Sequence, residues 1–348
     1  MESVGGFTRH EILTQPEAWS AALKALQEQA EAIGNFCHSG QYEQVLFTGC
    51  GSTYYLALSA AASLQEIAGV PAKGLPASEI WLYPHSAYLS NRRSLLVAVS
   101  RSGETTETLR AVDAFHERGD GDVLTLSCYP ESQLPTLGEL NLVFTSGQEN
   151  SIAQTRAFTT LYLASLYLAA LWAGRKDLVE QYQRLPEAAR RMIFSYQDTV
   201  RELGSDAGLD RFYFLGSGTR YGLACELSLK MKEMSLSQSE PFHFMEFRHG
   251  PKSMISKNAL VVGLVSQENR REERAVLQEM HALGGQIMAI EENESEADQL
   301  SITFRSGLSD SALGPLYLPI GQLLAFERAQ FGGLNPDQPN NLDAVVKL

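Results

Sequence analysis

Apolar positions along this chain follow two alternating rhythms. Short continuous runs such as VLFTG at 45–49, LLVAV at 95–99, FYFLG at 212–216 and ALVVGLV at 259–265 each lead into a turn. Apolar positions three and four residues apart follow. A continuous run of that length predicts a strand buried on both faces, and the three-and-four spacing predicts an amphipathic helix. Strands and helices alternating in this way build a parallel sheet covered on both sides. The most apolar helical stretch, FTTLYLASLYLAALWA at 158–173, is shorter than the ~20 residues that span a bilayer and reads as a buried helix.

The pattern occurs twice. VLFTGCGSTYYLALSAAASL at 45–64 aligns with FYFLGSGTRYGLACELSLKM at 212–231, pairing Phe47 with Phe214, Gly49 with Gly216, Gly51 with Gly218, Tyr54 with Tyr221, Leu56 with Leu223 and Ala57 with Ala224. A second strand and helix follow each, at 94–119 and 258–285. The expected architecture is therefore α/β, with two lobes of similar fold, each a parallel sheet flanked by helices in a flavodoxin-like three-layer sandwich. The chain divides into an N-terminal helical segment at 1–40, a first lobe at 41–190, a second at 200–330 and a tail at 331–348. Helices between about 158 and 203 join the lobes. The Gly-x-Gly turns do not read as a dinucleotide site, because Thr53 and Tyr54 stand where a Rossmann turn needs its third glycine.

Composition narrows the function. With 44% hydrophobic and 20% charged residues the chain has the make-up of a globular protein with a sizeable core. A formal charge of −13 argues against nucleic acid or an acidic membrane surface as partner. Cys37, Cys50, Cys128 and Cys225 lack metal-ligand spacing and read as reduced thiols of a cytoplasmic protein. The start, MESVGGFTRHEI, lacks the basic and apolar regions of a signal peptide.

A small anion is still compatible with that charge, and SRSGET at 100–105 is where one would sit. It lies at the carboxyl end of a parallel strand just before a helix, where free N–H groups and the helix dipole favour negative charge. Gly103 lets backbone approach a ligand, Ser100, Ser102 and Thr105 add hydroxyls, and Arg101 adds charge, a set suited to phosphate. A simple helix cap needs only one hydroxyl. The corresponding stretch of the second lobe, VSQENRR at 265–271, has neither the glycine nor the hydroxyl cluster, so one lobe is expected to bind.

The second lobe carries its own candidate chemistry. In CELSLKMKE at 225–233, Glu226, Lys230 and Glu233 share one helix face, while Leu227, Met231 and Met234 make another face apolar. On a solvated surface such spacing is only an i,i+4 ion pair; partly desolvated, it supplies a carboxylate able to take a proton. His249, followed by Gly and Pro, sits in a tight turn beside Glu246 and Arg248 and is a candidate acid/base.

Seven stretches in order, EILTQP at 11–16, GCGSTYYLAL at 49–58, SRSGETTET at 100–108, QTRAFTT at 154–160, CELSLKMKE at 225–233, EFRHGP at 246–251 and NPDQPNNL at 335–342, resemble the double SIS (sugar isomerase) domain family. That family includes the isomerase half of glucosamine-6-phosphate synthase and free-standing deaminases and deglycases. The resemblance implies a sugar phosphate held by Ser52 or Thr53, Ser100, Arg101, Ser102 and Thr105, helped by the backbone of Ile152, Ala153 and Gln154. It further implies that His249 opens the sugar ring and Glu233 carries the proton, with Glu226 and Lys230 positioning the sugar or tuning the base. A homodimer is implied in which the histidine reaches the neighbour's site. No metal or organic cofactor is called for.

Two departures shift the expectation away from synthesis. The chain starts directly at the isomerase region, without a glutamine-hydrolysing domain ahead of it, and Ala344 stands where the synthase has a tail lysine, with Lys347 three residues late. EFRHGP looks more like the free-standing enzymes. The leading expectation is conversion of glucosamine 6-phosphate to fructose 6-phosphate and ammonia. A fructosamine-type 6-phosphate deglycase, a plain sugar-phosphate isomerase and a non-catalytic sugar-phosphate sensor are the alternatives.

Overall fold

The computed structural model of the protein describes residues 4–89, 91–119, 121–294 and 299–348. The apolar runs become neighbouring strands. β1 (Gln44–Gly49), β2 (Ala72–Pro76), β3 (Ser94–Ser100), β4 (Gly121–Ser127) and β5 (Leu140–Val143) form a sheet in the order β2-β1-β3-β4-β5. β6 (Arg211–Leu215), β7 (Gln238–Phe242), β8 (Ala259–Leu264), β9 (Gln286–Glu291) and β10 (Leu300–Thr303) form a second, in the order β7-β6-β8-β9-β10. Every pairing in both sheets is parallel, and the two orders correspond strand for strand. The duplication seen in sequence is thus a duplication of topology.

The paired glycines explain why the turns match. A Cβ on Gly49 would lie 2.8 Å from the carbonyl carbon of Thr53, and one on Gly216 would lie 2.4 Å from the carbonyl oxygen of Arg220. Each helix therefore starts hard against the end of its strand. Gly51 and Gly218 take φ of 55° and 57°, where a side chain costs roughly 1–2 kcal/mol.

β3 and β8 are buried along their whole length, as parallel strands covered on both faces must be. The helix Thr106–Arg118 lays Thr108, Ala111, Val112 and Phe115 against the first sheet, which holds its N-terminus at the end of β3. The helix Arg156–Trp172 is buried almost throughout, and Trp19 donates its indole N–H to Thr159 Oγ1 at 2.9 Å. Among the described residues no helix is long and apolar enough to cross a membrane.

The chain does not divide linearly. One unit, which carries the first sheet, comprises Glu17–Glu149, Arg156–Gln183 and Asp343–Leu348. The other carries the second sheet and comprises the chain up to Pro16, Asn150–Thr155 and Arg184–Leu342. The expected segment 1–40 is thus split at Pro16, because Gln15 bonds to Gln322 of the second unit's helix Leu318–Phe331. The expected first lobe at 41–190 loses its end, because the apolar face of the helix Leu185–Gly204 packs within the second unit. There Gly204 lets it approach Glu327 so closely that a Cβ would lie 2.8 Å from the glutamate's. The end of the expected tail at 331–348 belongs to the first unit.

Candidate active site

In the first unit, β1 and β3 lie side by side while their onward connections run in opposite directions, the topology at whose carboxyl strand ends parallel α/β sheets bind ligands. SRSGET lies there. Ser100 Oγ accepts the N–H of Gly103 at 3.1 Å and stands 3.5 Å from Ser102 Oγ and 3.3 Å from Thr105 Oγ1. Ser102 Oγ accepts the N–H of Glu104 at 3.2 Å. The three expected hydroxyls are therefore one cluster.

That loop is built rather than loose. Gly103 has φ 68°, and a Cβ on it would lie 2.0 Å from Ser132 Oγ. Its carbonyl accepts the N–H of Leu134 at 3.0 Å, and Glu104 accepts the N–H of Gln133 at 2.8 Å. Gly103→Ala is expected to displace both loop segments of this contact and weaken sugar-phosphate binding about tenfold or more, the loss of one or two charge-assisted bonds. Titration calorimetry with glucose 6-phosphate checks it, and undiminished affinity would show that the loop is not the phosphate site.

Arg101 is placed differently from the simple expectation of a cation added to the loop. Its side chain is buried against the equally buried Glu149, Nη1 to Oε2 at 3.4 Å, and Nη2 donates to the Ala344 carbonyl at 3.2 Å. The guanidinium thus braces loop and tail. Burial demands the pairing, since an uncompensated charge would be costly there. Val346 O accepts the N–H of Thr106 at 3.3 Å, so the tail lies on the start of the loop's helix through main-chain bonds, without using Lys347. Thr53 also acts locally, since its hydroxyl bonds the N–H of Cys50 at 2.8 Å and closes the Gly-x-Gly turn. Ser52 opens the helix Ser52–Ala68 and is buried.

In the second unit, the helix Tyr221–Ser235 buries Leu223, Leu227, Met231 and Met234 on its apolar side. Its polar side is buried too. Lys230 Nζ lies 3.4 Å from Glu226 Oε1 and is hydrogen-bonded to Glu233 Oε2. The side chains of Glu226 and Lys230 are 0% and 1% exposed, against 19% for Glu233. The solvated-surface reading of this spacing is thereby excluded. Glu233 is the one member of the trio that a ligand can reach, and Lys230 fixes where its carboxylate points.

His249 stands exposed in the turn between the short helix Phe244–Phe247 and Pro251, its N–H donating to Glu246 O at 3.0 Å. Its side chain is not bonded to the Glu226–Lys230–Glu233 trio. Arg248 turns away from it to Glu279 at 2.7 Å, joined there by Lys252 at 2.8 Å, so two cations clamp the histidine loop onto the helix Arg270–Ala282.

The model of the SIS domain matches residues 41–172 and 207–305, which contain the two sheets. The chain belongs to the SIS domain family. Its relatives include the glutamine–fructose-6-phosphate aminotransferases [isomerizing] of Xanthomonas campestris, 29% identical over 98% of this chain, and of Pyrobaculum aerophilum, 30% identical over all of it. The chain spans 59% of the length of each. Among solved structures, glucosamine-6-phosphate deaminase from Thermotoga maritima is similar over 98% of this chain and 99% of its own, with TM-score 0.79 and 27% identity. Tagatose-6-phosphate ketose/aldose isomerase from Escherichia coli shares the fold, with TM-score 0.87 and 22% identity over 98% of both chains.

In the second SIS lobe the loop after β8 is tied down by the chain's own carboxylates. Asp310 Oδ1 accepts the N–H of Gln267 at 3.2 Å and pairs with buried Arg220 at 3.4 Å. Glu273 accepts both the N–H (2.6 Å) and hydroxyl of Ser266, and burial holds its carboxyl above the usual range. Carboxylates of the chain itself thus occupy the loop after β8. Neither they nor Glu149 carried a local sequence signal. Among the described residues no group of His, Cys, Asp and Glu suits a metal ion.

Proposed function

We propose that this SIS protein is a sugar-phosphate isomerase that deaminates an amino-sugar 6-phosphate, converting glucosamine 6-phosphate to fructose 6-phosphate and ammonia. The observation that carries the reading is the buried Glu226–Lys230–Glu233 trio with one reachable carboxylate. Binding alone needs no such cluster. The phosphate is held by the loop at 100–105, with the hydroxyls of Ser100, Ser102 and Thr105 as donors and Arg101 as the brace of that loop. Ser52 and the backbone of Ile152, Ala153 and Gln154 complete the substrate contacts.

In this mechanism His249 opens the ring, passing the proton between the anomeric hydroxyl and the ring oxygen. Glu233 then removes the proton from C2 of the open-chain aldosamine while the aldehyde oxygen takes up a proton, giving the enolamine. Return of the proton from Glu233 to C1, with loss of one from nitrogen, gives the C2 imine, and water adds at C2, expelling ammonia and leaving the ketose. Lys230 keeps Glu233 aimed, and Glu226 balances its charge. The exposure of His249 supports its acting on a second copy of the chain in a homodimer.

The full-length similarity to a glucosamine-6-phosphate deaminase supports the amino-sugar substrate. Product analysis over three substrates tests the assignment. Glucosamine 6-phosphate is expected to yield fructose 6-phosphate and ammonia. Release of glucose 6-phosphate from an N-substituted fructosamine 6-phosphate instead would make the protein a deglycase. Interconversion of fructose 6-phosphate and glucose 6-phosphate alone would make it a plain isomerase, and binding with no turnover a sensor.

A further inference from the structure

The helix Gly6–Leu13 buries a carboxylate that the mechanism above does not use. Glu11 is 1% exposed, and it accepts the N–H of Asn150 at 2.5 Å, the N–H of Ser151 at 3.4 Å and the hydroxyl of Ser151. One turn earlier on the same face, Thr8 donates its N–H and its hydroxyl to Asp337, both at 2.7 Å. The carbonyl of Asp337 in turn accepts the N–H of Ile152 at 3.0 Å. At the far end of the same stretch, fully buried Gln322 donates to the Thr155 carbonyl at 3.3 Å. Segments from both ends of the sequence thus converge on the hexapeptide Asn150–Thr155, all within the second unit.

A neutral acceptor would tie down these amides at less cost, because a buried carboxylate has to give up its hydration. What the charge adds is shorter and stiffer bonds. Stiffness of that kind matters where main chain has to meet a ligand to within a fraction of an ångström. We infer that Glu11 is a positioning residue for the substrate-binding main chain of Ile152, Ala153 and Gln154, with Asp337 as its second anchor. The inference rests on the reading of 152–154 as substrate contacts under the proposed function. Glu11 acts through the loop and not on the substrate itself.

Glu11→Gln keeps the size of the side chain, removes the charge and turns an NH2 donor toward peptide N–H groups. It is expected to raise KM for glucosamine 6-phosphate about tenfold and leave kcat within about threefold, the size of one weakened charge-assisted bond. Glu11→Asp, which keeps the charge, should recover part of the loss, and it carries the comparison if Glu11→Gln does not fold by thermal unfolding. An unchanged KM in the folded variant overturns the inference, as does a loss confined to kcat. Hydrogen exchange at amides 152–154 reads the same claim without turnover. Glucosamine 6-phosphate should slow that exchange in the wild-type chain and do so less in Glu11→Gln. No slowing in the wild type overturns the inference even if ammonia is released. Slowing without ammonia release leaves it standing and overturns the deaminase reading.

Discussion

Glu233→Gln is expected to lower turnover of glucosamine 6-phosphate by about 10²–10⁴-fold, the range for loss of a positioned acid/base. Binding of the sugar phosphate should stay within about threefold of wild type, since the hydroxyl cluster proposed to hold the phosphate makes no use of Glu233. The amide keeps the shape of the carboxylate and can still accept from Lys230, but it cannot take the C2 proton. Steady-state kinetics with calorimetry on the same sample separates the two effects. Near-normal turnover would remove Glu233 as the base. Lost binding with lost turnover would make it a ligand contact instead.

Lys230→Met is expected to be the most damaging single change to the fold. The ammonium is fully buried between two carboxylates, one of them wholly inaccessible. Removing it strands negative charge in the interior, a change that costs about 3–5 kcal/mol. Spread over a unit of this size, that lowers the melting temperature by about 10 °C. The double variant Glu226→Gln with Lys230→Met should recover at least half of the loss, because it removes the charge left unpaired. Thermal unfolding of the wild type, the single variant and the double variant gives the answer. A single variant melting within about 2 °C of wild type would mean that the trio is solvated in solution.

These two variants also mark what could be read in the sequence. The repeat was legible because its glycines answer to backbone constraints, close approach at Gly49 and Gly216 and positive φ at Gly51 and Gly218, that no other residue meets cheaply. The hydroxyl cluster was legible because local sequence and the end of β3 place it together. The burial of Glu226 and Lys230 was not, since the same i,i+4 spacing serves equally on a solvated face. What decides it is the tertiary burial of that helix, which the local spacing does not encode. Arg101 shows the same limit: its partner Glu149 lies two strands further on, and nothing near either residue announces the pair. EILTQP and NPDQPNNL stood out as family stretches, yet only the fold shows Glu11 and Asp337 fastening the segment at 150–152. The hexapeptide's membership of the second unit was hidden for the same reason.

Deamination is read from the ammonia that the purified protein releases from glucosamine 6-phosphate, with fructose 6-phosphate measured in the same sample. Both should appear, one for one, and both should fall by about 10²–10⁴-fold in Glu233→Gln. Binding of glucosamine 6-phosphate with neither product formed would contradict the deaminase reading.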